Sequence, residues 1–172
     1  MRQQGRSLNE GVNFMAVRTA RTYWEGSLTE GQGETHLVSS GAGRFEVNWT
    51  ARVDEPGGKT SPEELLAAAH ATCFSKSLAH ELVEAGHSAP ALVDTKADVT
   101  FQPGGPGITG IELTVSAVVP GVNEAQFQEA VAAAERNCPV TRALAGTTIN
   151  VEASLADEST SAAVGGGAED AG

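Results

Sequence analysis

Cys73 and Cys138 are the residues of this 172-residue chain whose side chains could carry out a reaction of their own. A cysteine thiolate can attack a peroxide, and the sulfenic acid that forms can condense with a second thiol to give a disulfide. The alternative is two unrelated structural thiols, because free cysteine is among the most buried residue types. Composition alone favours that structural interpretation, and the separation of 65 residues does not exclude either.

Several other kinds of chemistry are not expected. The sequence has no CxxC pair and no Cys/His cluster at ligand spacing, so neither a metal site nor another cofactor is predicted. A formal net charge of −11 argues against nucleic acid as a partner. No apolar run is long enough for a membrane span, and no signal peptide is evident. These features predict a cytoplasmic protein, and in that compartment structural disulfides are rare.

Cys73 lies inside a long predicted helix. Ser61 is expected to cap its start, Pro62 to occupy its first position, Glu64 to complete a capping box and Gly86 to end it. Cys73 is then about three turns from the helix start, where the helix dipole has little effect. A thiolate at this position therefore requires a cation from elsewhere in the protein.

Cys138 is predicted to stand at the start of another helix. Asn123 and Gln126 form a capping-box pattern that opens a helix to about Asn137, and a short helix follows with Pro139 at its first position. The free N–H groups at such a start favour a thiolate at Cys138.

Strands are predicted on both sides of these helices, separated by glycine turns that include Gly31, Gly33, Gly41 and Gly43. The predicted strands are Val17–Gly26, His36–Ser39, Arg44–Val53, Ala91–Gln102, Ile108–Val119 and Thr147–Leu155. This order predicts an α+β fold. Residues 16–155 are expected to form one domain. Residues 1–15 are interpreted as a disordered or alternative-start extension, and residues 156–172 as a disordered acidic, Gly-rich tail.

Three motifs together resemble the OsmC/Ohr family of hydroperoxide reductases. They are TSPEELLAAAHATCFS at residues 60–75, NCPVTRAL at 137–144 and WEG at 24–26. His70 and the WEG motif favour the OsmC branch. The resemblance covers most of the predicted domain. It implies an OsmC-like fold with antiparallel sheets around a long central helix, and an intertwined homodimer with active sites at the subunit interface.

The resemblance also implies roles for individual residues. Cys73 matches the cysteine that attacks the peroxide, and Cys138 matches the resolving cysteine. Glu63 matches a glutamate that orients an arginine, for which Arg52 is the best match and Arg44 the alternative. Because Glu63 precedes Cys73 by ten residues, or roughly 15 Å of helix, it is expected to serve a Cys73 on another subunit.

Taken together, the resemblance implies a cofactor-free thiol peroxidase that acts in the response to oxidative and osmotic stress. Its expected substrates are organic hydroperoxides and, less well, hydrogen peroxide, and an external dithiol such as a lipoyl group would regenerate it.

His70 lies one turn before Cys73 and could hydrogen-bond near the site, although a buried, satisfied histidine is at least as common. The rival hypotheses are a redox sensor or binding module without turnover, and a structural domain whose cysteines never meet.

Overall fold

The structure is a computed structural model that describes residues 15–157. Most of the predicted N-terminal extension and of the predicted tail lies outside these residues. The described residues contain ten elements in this order: β1 (Arg21–Glu25), β2 (Gln32–His36), β3 (Arg44–Asn48), α1 (Thr50–Val53), α2 (Pro62–Glu84), β4 (Leu92–Gln102), β5 (Gly107–Val118), α3 (Glu124–Asn137), α4 (Pro139–Ala143) and β6 (Thr148–Leu155).

The strands form two three-stranded sheets, and the predicted α+β class is confirmed. Strands β1, β2 and β3 make an antiparallel meander, which we call the N-terminal sheet. Strands β4 and β5 form the predicted antiparallel hairpin. In contrast to the expectation of purely antiparallel sheets, β6 pairs with β5 in parallel. Helices α3 and α4 lie between β5 and β6, and this crossover brings the chain back in the same direction.

Helices α2 and α3 pack together and cover the second sheet. Their apolar side chains and those of β5 form one buried cluster, which includes Phe74, Leu78, Leu82, Ile111, Leu113, Val115, Phe127, Ala130, Val131 and Ala134. Because one side of α2 is buried in this cluster through Phe74, Leu78 and Leu82, the part of the helix that carries Cys73 has a well-defined position.

The predicted helix starts are largely confirmed. The Ser61 hydroxyl accepts a hydrogen bond from the Glu64 backbone N–H, and Pro62 is the first helical residue. The Glu64 carboxylate, however, accepts a hydrogen bond of 2.6 Å from the Thr60 hydroxyl, so the capping box predicted here is only half formed. The capping box of Asn123 and Gln126 is complete.

The second strand differs from its prediction. It covers Gln32–His36 instead of His36–Ser39, and Gly33 lies inside it instead of in a turn. A Cβ atom at Gly33 would collide with the backbone oxygen of Tyr23 and lie 3.0 Å from the ring of Trp24. Glycine is therefore needed here for the close approach of β1 and not for a change of chain direction.

The predicted strand Arg44–Val53 is too long, because β3 ends at Asn48 and the one-turn helix α1 follows. The Asn48 side-chain oxygen accepts a 2.8 Å hydrogen bond from the Ala51 backbone N–H, which stabilises the turn. Arg52 consequently lies on a helical turn and not on the strand that the sequence predicts.

The N-terminal sheet extends away from the main core. Strand β1 is exposed over all five residues, and the sheet is joined to the N-terminal end of α2 by a bridge between Val47 and Thr60. Several large apolar side chains in and around this sheet remain solvent-exposed in the single chain: Tyr23, Trp24, Leu28, Val38 and Phe45. Within residues 15–157, no helix has the length and apolar character needed to cross a membrane.

Candidate active site

Arg52 and Glu63 form a bidentate ion pair. The Arg52 Nε donates to both carboxylate oxygens at 3.0 and 3.1 Å, and Nη2 donates to Oε1 at 2.6 Å. Glu63 is buried at 6 % exposure, whereas 27 % of the Arg52 side chain remains exposed. Arg44, the alternative arginine, lies at the start of β3 opposite His36. Of the two, Arg52 is therefore the arginine that forms an ion pair with Glu63.

Two aromatic rings pack against the Arg52 guanidinium. Its central carbon lies 3.9 Å from the ring centre of Phe101 and 6.0 Å from that of Trp49. The two rings meet edge to face, with their centres 6.3 Å apart. Cation–π attraction and the ion pair together fix the arginine. Neither ring was predicted from the sequence. Trp49 could have been found from its position three residues before Arg52.

A cavity of about 550 Å³ opens beside this arginine, between the N-terminal sheet and the first turn of α2. Most of its wall is apolar. It is lined by Ala20, Thr22, Trp24, Leu28, Thr35, Val47, Asn48, Trp49, Arg52, Pro62 and Leu65. The arrangement places one fixed cation at the edge of a largely apolar space, as in many small-molecule sites.

The two cysteines come together at a different place. Cys73 on α2 is half-buried and Cys138 at the start of α4 is buried, and both are free thiols close enough to interact. The packing of α2 on α3 determines this contact. Asn137 supports it with a 2.9 Å hydrogen bond from its side-chain nitrogen to Glu81 on α2. The hypothesis of cysteines that never meet is not compatible with this geometry.

The surroundings of the two thiols change their acidity in opposite directions. Burial raises the pKa of Cys73, and the neighbouring Cys138 thiol adds to this, although the backbone N–H of Val140 acts in the other direction. Burial alone would also raise the pKa of Cys138. The hydroxyl and N–H of Thr141 and contacts from Cys73 and Val140 outweigh it and lower that pKa. The N–H groups at the start of α4 thus help to lower the pKa of Cys138, as expected from the sequence, even though its sulfur makes no regular capping hydrogen bond.

The predicted site residues therefore form two groups within one chain. Arg52 and Glu63 lie at the N-terminal end of α2, whereas Cys73 and Cys138 lie near its middle. Ten residues separate Glu63 from Cys73, or roughly 15 Å along the helix axis. Within this chain, Arg52 does not contribute to the pKa shift of Cys73.

His70 lies beside the cysteine pair and is fully buried. Its Nε2 is 2.9 Å from the hydroxyl oxygen of Thr141, and burial lowers its pKa, so the ring is neutral near pH 7. Nδ1 has no hydrogen-bond partner among the described residues. Thr141 was not predicted from the sequence, where its position three residues after Cys138 was the one indication. Between residues 15 and 157, no cluster of His, Cys, Asp and Glu is suited to hold a metal ion.

Comparison with known proteins decides the family. The family model described as OsmC-like protein matches residues 55–154. Peroxiredoxin OsmC of Escherichia coli K12 is 35 % identical over 129 residues, which cover 74 % of this chain and 89 % of that protein. The chain belongs to the OsmC family. An organic hydroperoxide resistance protein of Xanthomonas axonopodis pv. citri is 34 % identical over 102 residues, covering 58 % of this chain and 69 % of that protein.

Solved structures of OsmC-family proteins share this fold. The organic hydroperoxide resistance protein OsmC of Legionella pneumophila aligns with a TM-score of 0.59 at 24 % identity, over 83 % of this chain and all of that one. OhrB of Bacillus subtilis aligns with a TM-score of 0.57 at 24 % identity, over 80 % of this chain and 98 % of that one. The resemblance carried by residues 60–75 and 137–144 is therefore confirmed at the level of family and fold.

Proposed function

We propose that this protein is a thiol peroxidase that reduces organic hydroperoxides and, less efficiently, hydrogen peroxide, in defence against oxidative stress. The observation that carries the proposal is the contact between Cys73 and Cys138, two free thiols that come from distant parts of the chain. Relatives named peroxiredoxin and organic hydroperoxide resistance protein support the same reaction class.

The reaction has three balanced steps. The Cys73 thiolate attacks the O–O bond of the hydroperoxide; sulfur takes one oxygen as a sulfenic acid, and the other leaves as an alcohol after taking up a proton. The Cys138 sulfur then attacks the Cys73 sulfur, forming a disulfide and releasing water. Finally, an external dithiol reduces this disulfide and is itself oxidised to a disulfide. A lipoyl group has the required chemistry, and the cytoplasm is the compartment in which such dithiols are kept reduced.

Activation of Cys73 calls for a second subunit. Burial raises the pKa of Cys73 in the single chain, which opposes formation of the attacking thiolate. In the homodimer that we propose, Arg52 of one subunit lies beside Cys73 of the partner subunit and stabilises its thiolate. Glu63 holds that arginine in a fixed orientation. The exposed apolar side chains of the N-terminal sheet support a partner surface on this side of the molecule.

The apolar cavity beside Arg52 supports a preference for organic hydroperoxides. Trp24, Leu28 and Leu65 provide apolar surface for an alkyl or aryl group, while the guanidinium can interact with the peroxide oxygens. Hydrogen peroxide has no apolar group to bury there, so it gains less from the cavity.

One assay tests this function. Reduced protein is mixed with cumene hydroperoxide and excess dithiothreitol, and peroxide loss is followed. Many equivalents consumed per subunit, with none for Cys73→Ser, are expected. Without dithiol, Cys138→Ser should consume one equivalent and leave a Cys73 sulfenic acid that dimedone traps. Failure of the oxidised wild-type protein to form a Cys73–Cys138 disulfide would contradict the scheme.

A redox sensor is the second candidate. It is favoured by the lowered pKa of Cys138 beside the raised pKa of Cys73, since slow oxidation of one thiol by peroxide, followed by attack of the other, is enough to close the disulfide once. In the same assay a sensor whose disulfide resists dithiothreitol consumes a single equivalent of peroxide.

A further inference from the structure

His70, Thr141 and Cys138 form a line of polar groups, and the reaction scheme above gives no role to the first two. The His70 Nε2 is 2.9 Å from the Thr141 hydroxyl oxygen. The same hydroxyl interacts with the Cys138 sulfur. The line connects α2 to α4, the two elements that carry the cysteines. His70 is completely buried and Thr141 is half-buried, so solvent has little access to the hydrogen bond between them.

The unpartnered nitrogen of His70 determines the direction of the hydrogen bonds. A neutral imidazole carries one N–H, on either Nδ1 or Nε2. Since Nδ1 is buried without a partner among residues 15–157, a proton there would be a buried donor without an acceptor in this part of the chain. A lone pair left without a donor costs less than an orphaned buried N–H. We therefore assign the proton to Nε2, so that Nε2–H donates to the Thr141 oxygen.

This tautomer sets the orientation of the Thr141 hydroxyl. Its oxygen accepts from His70, so its own hydrogen is free to point away from the histidine. Cys138 stands at the N-cap of α4, three residues before Thr141, and its sulfur is the acceptor that we assign to this hydroxyl, which helps to lower the pKa of Cys138. A hydroxyl that donates to sulfur favours the thiolate over the thiol, because the thiolate is the stronger acceptor.

We propose that His70 is a positioning residue for the resolving step, which holds the Thr141 hydroxyl as a donor to Cys138 and so keeps Cys138 ready to attack the oxidised Cys73. In that step the Cys138 thiolate bonds to the Cys73 sulfur, the S–O bond breaks, and the leaving hydroxide takes up a proton to become water. This inference rests on the proposed function, but the acidity of Cys138 can be measured without any peroxide.

The test uses two matched pairs of substitutions in a Cys73→Ser protein, where Cys138 is the remaining thiol. Thr141→Val removes the hydroxyl at constant shape, and Thr141→Ser keeps it. His70→Asn is too short to reach Thr141, and His70→Gln can place an N–H near the Nε2 position. His80→Gln, an exposed histidine on the same helix, is the control. The ultraviolet absorbance of the thiolate, followed against pH, reports the pKa of Cys138.

Thr141→Val is expected to raise the pKa of Cys138 by about one pH unit, as loss of one hydrogen bond to a charged group implies. His70→Asn should raise it in the same direction by a smaller amount. Thr141→Ser, His70→Gln and the control should remain near the parent value. With Cys73 restored, Thr141→Val should slow disulfide formation about threefold, because a tenfold loss of thiolate is partly offset by greater intrinsic nucleophilicity. The preceding oxidation of Cys73 should keep its rate.

An unchanged pKa of Cys138 in His70→Asn would overturn the proposal, as would an equal rise in His70→Gln and His70→Asn. Nitrogen chemical shifts of the His70 ring in the unsubstituted protein give a second test that needs no buried substitution. They should report a protonated Nε2, and a protonated Nδ1 would also overturn the inference. If the pKa pattern holds and peroxide turnover is absent, the proposed function fails while the role of His70 in setting the acidity of Cys138 stands.

Discussion

Replacement of Arg52 by leucine should cost about 3 kcal/mol of unfolding free energy, apart from any effect on catalysis. The substitution leaves the Glu63 carboxylate, at 6 % exposure, without the cation that now reaches it over 2.6–3.1 Å. Removal of one partner from a buried ion pair costs roughly 3–5 kcal/mol. The lower end applies because 27 % of the Arg52 side chain is exposed, so water already reaches part of the site.

A double-mutant cycle separates this effect from the loss of side-chain packing. Arg52→Leu, Glu63→Gln and the double variant are compared with the parent protein by urea denaturation at one protein concentration. The double variant should lose about 2 kcal/mol less than the sum of the single losses, because the neutral amide introduced by Glu63→Gln no longer needs the cation. Lys96→Met and Asp98→Asn form the control cycle. Their ion pair has 70 % and 52 % exposed side chains and should show a coupling below about 1 kcal/mol.

Additive losses, within about 0.5 kcal/mol, would refute the reasoning, because the buried pair would then behave like independent surface charges. A coupling equal to that of the Lys96–Asp98 pair would have the same meaning.

Three further predictions concern the pocket and the core. Trp24→Ala should lower the ratio of kcat/KM for cumene hydroperoxide to that for hydrogen peroxide by roughly tenfold, while Val83→Ala on the exposed side of α2 should leave the ratio unchanged. Burial lowers the pKa of His70, so the unfolded chain binds its proton first, and stability should fall as the pH drops below about 6.5. When the unfolding free energy is measured by urea denaturation at several pH values from 7 to 5, it should change less with pH for His70→Gln than for the parent protein. Phe127→Ala, at a fully buried position, should cost about 3–5 kcal/mol in the same assay.

The helices could be predicted in detail because their boundaries depend on neighbouring residues. Ser61 and Pro62 begin α2, and Asn123 with Gln126 begins α3, through contacts within four residues. The hairpin of β4 and β5 could be predicted for the same reason, since its glycine-rich turn joins two alternating segments.

Features that depend on distant residues could not be predicted in this way. Gly33 was wrongly interpreted as a turn residue. The reason for a glycine at this position is its close contact with Tyr23 on the neighbouring strand, and the local sequence does not reveal that contact. The parallel return of β6 depends on how α3 packs, which no local pattern describes. The candidate site has the same character. Family resemblance identified the cysteines and the ion pair, but Phe101 contacts Arg52, and Thr141 contacts His70, only through the tertiary fold.

The claim that one active site combines two subunits has a direct test in mixed dimers. One subunit carries Cys73→Ser. The other carries Arg52→Leu with Glu63→Gln. The two are co-expressed with different tags, and the heterodimer is purified through both. Each parent homodimer should be inactive, whereas the heterodimer retains one intact Cys73–Arg52 site of two and should show about half of the wild-type peroxidase activity. A heterodimer no more active than its parents would contradict the shared site.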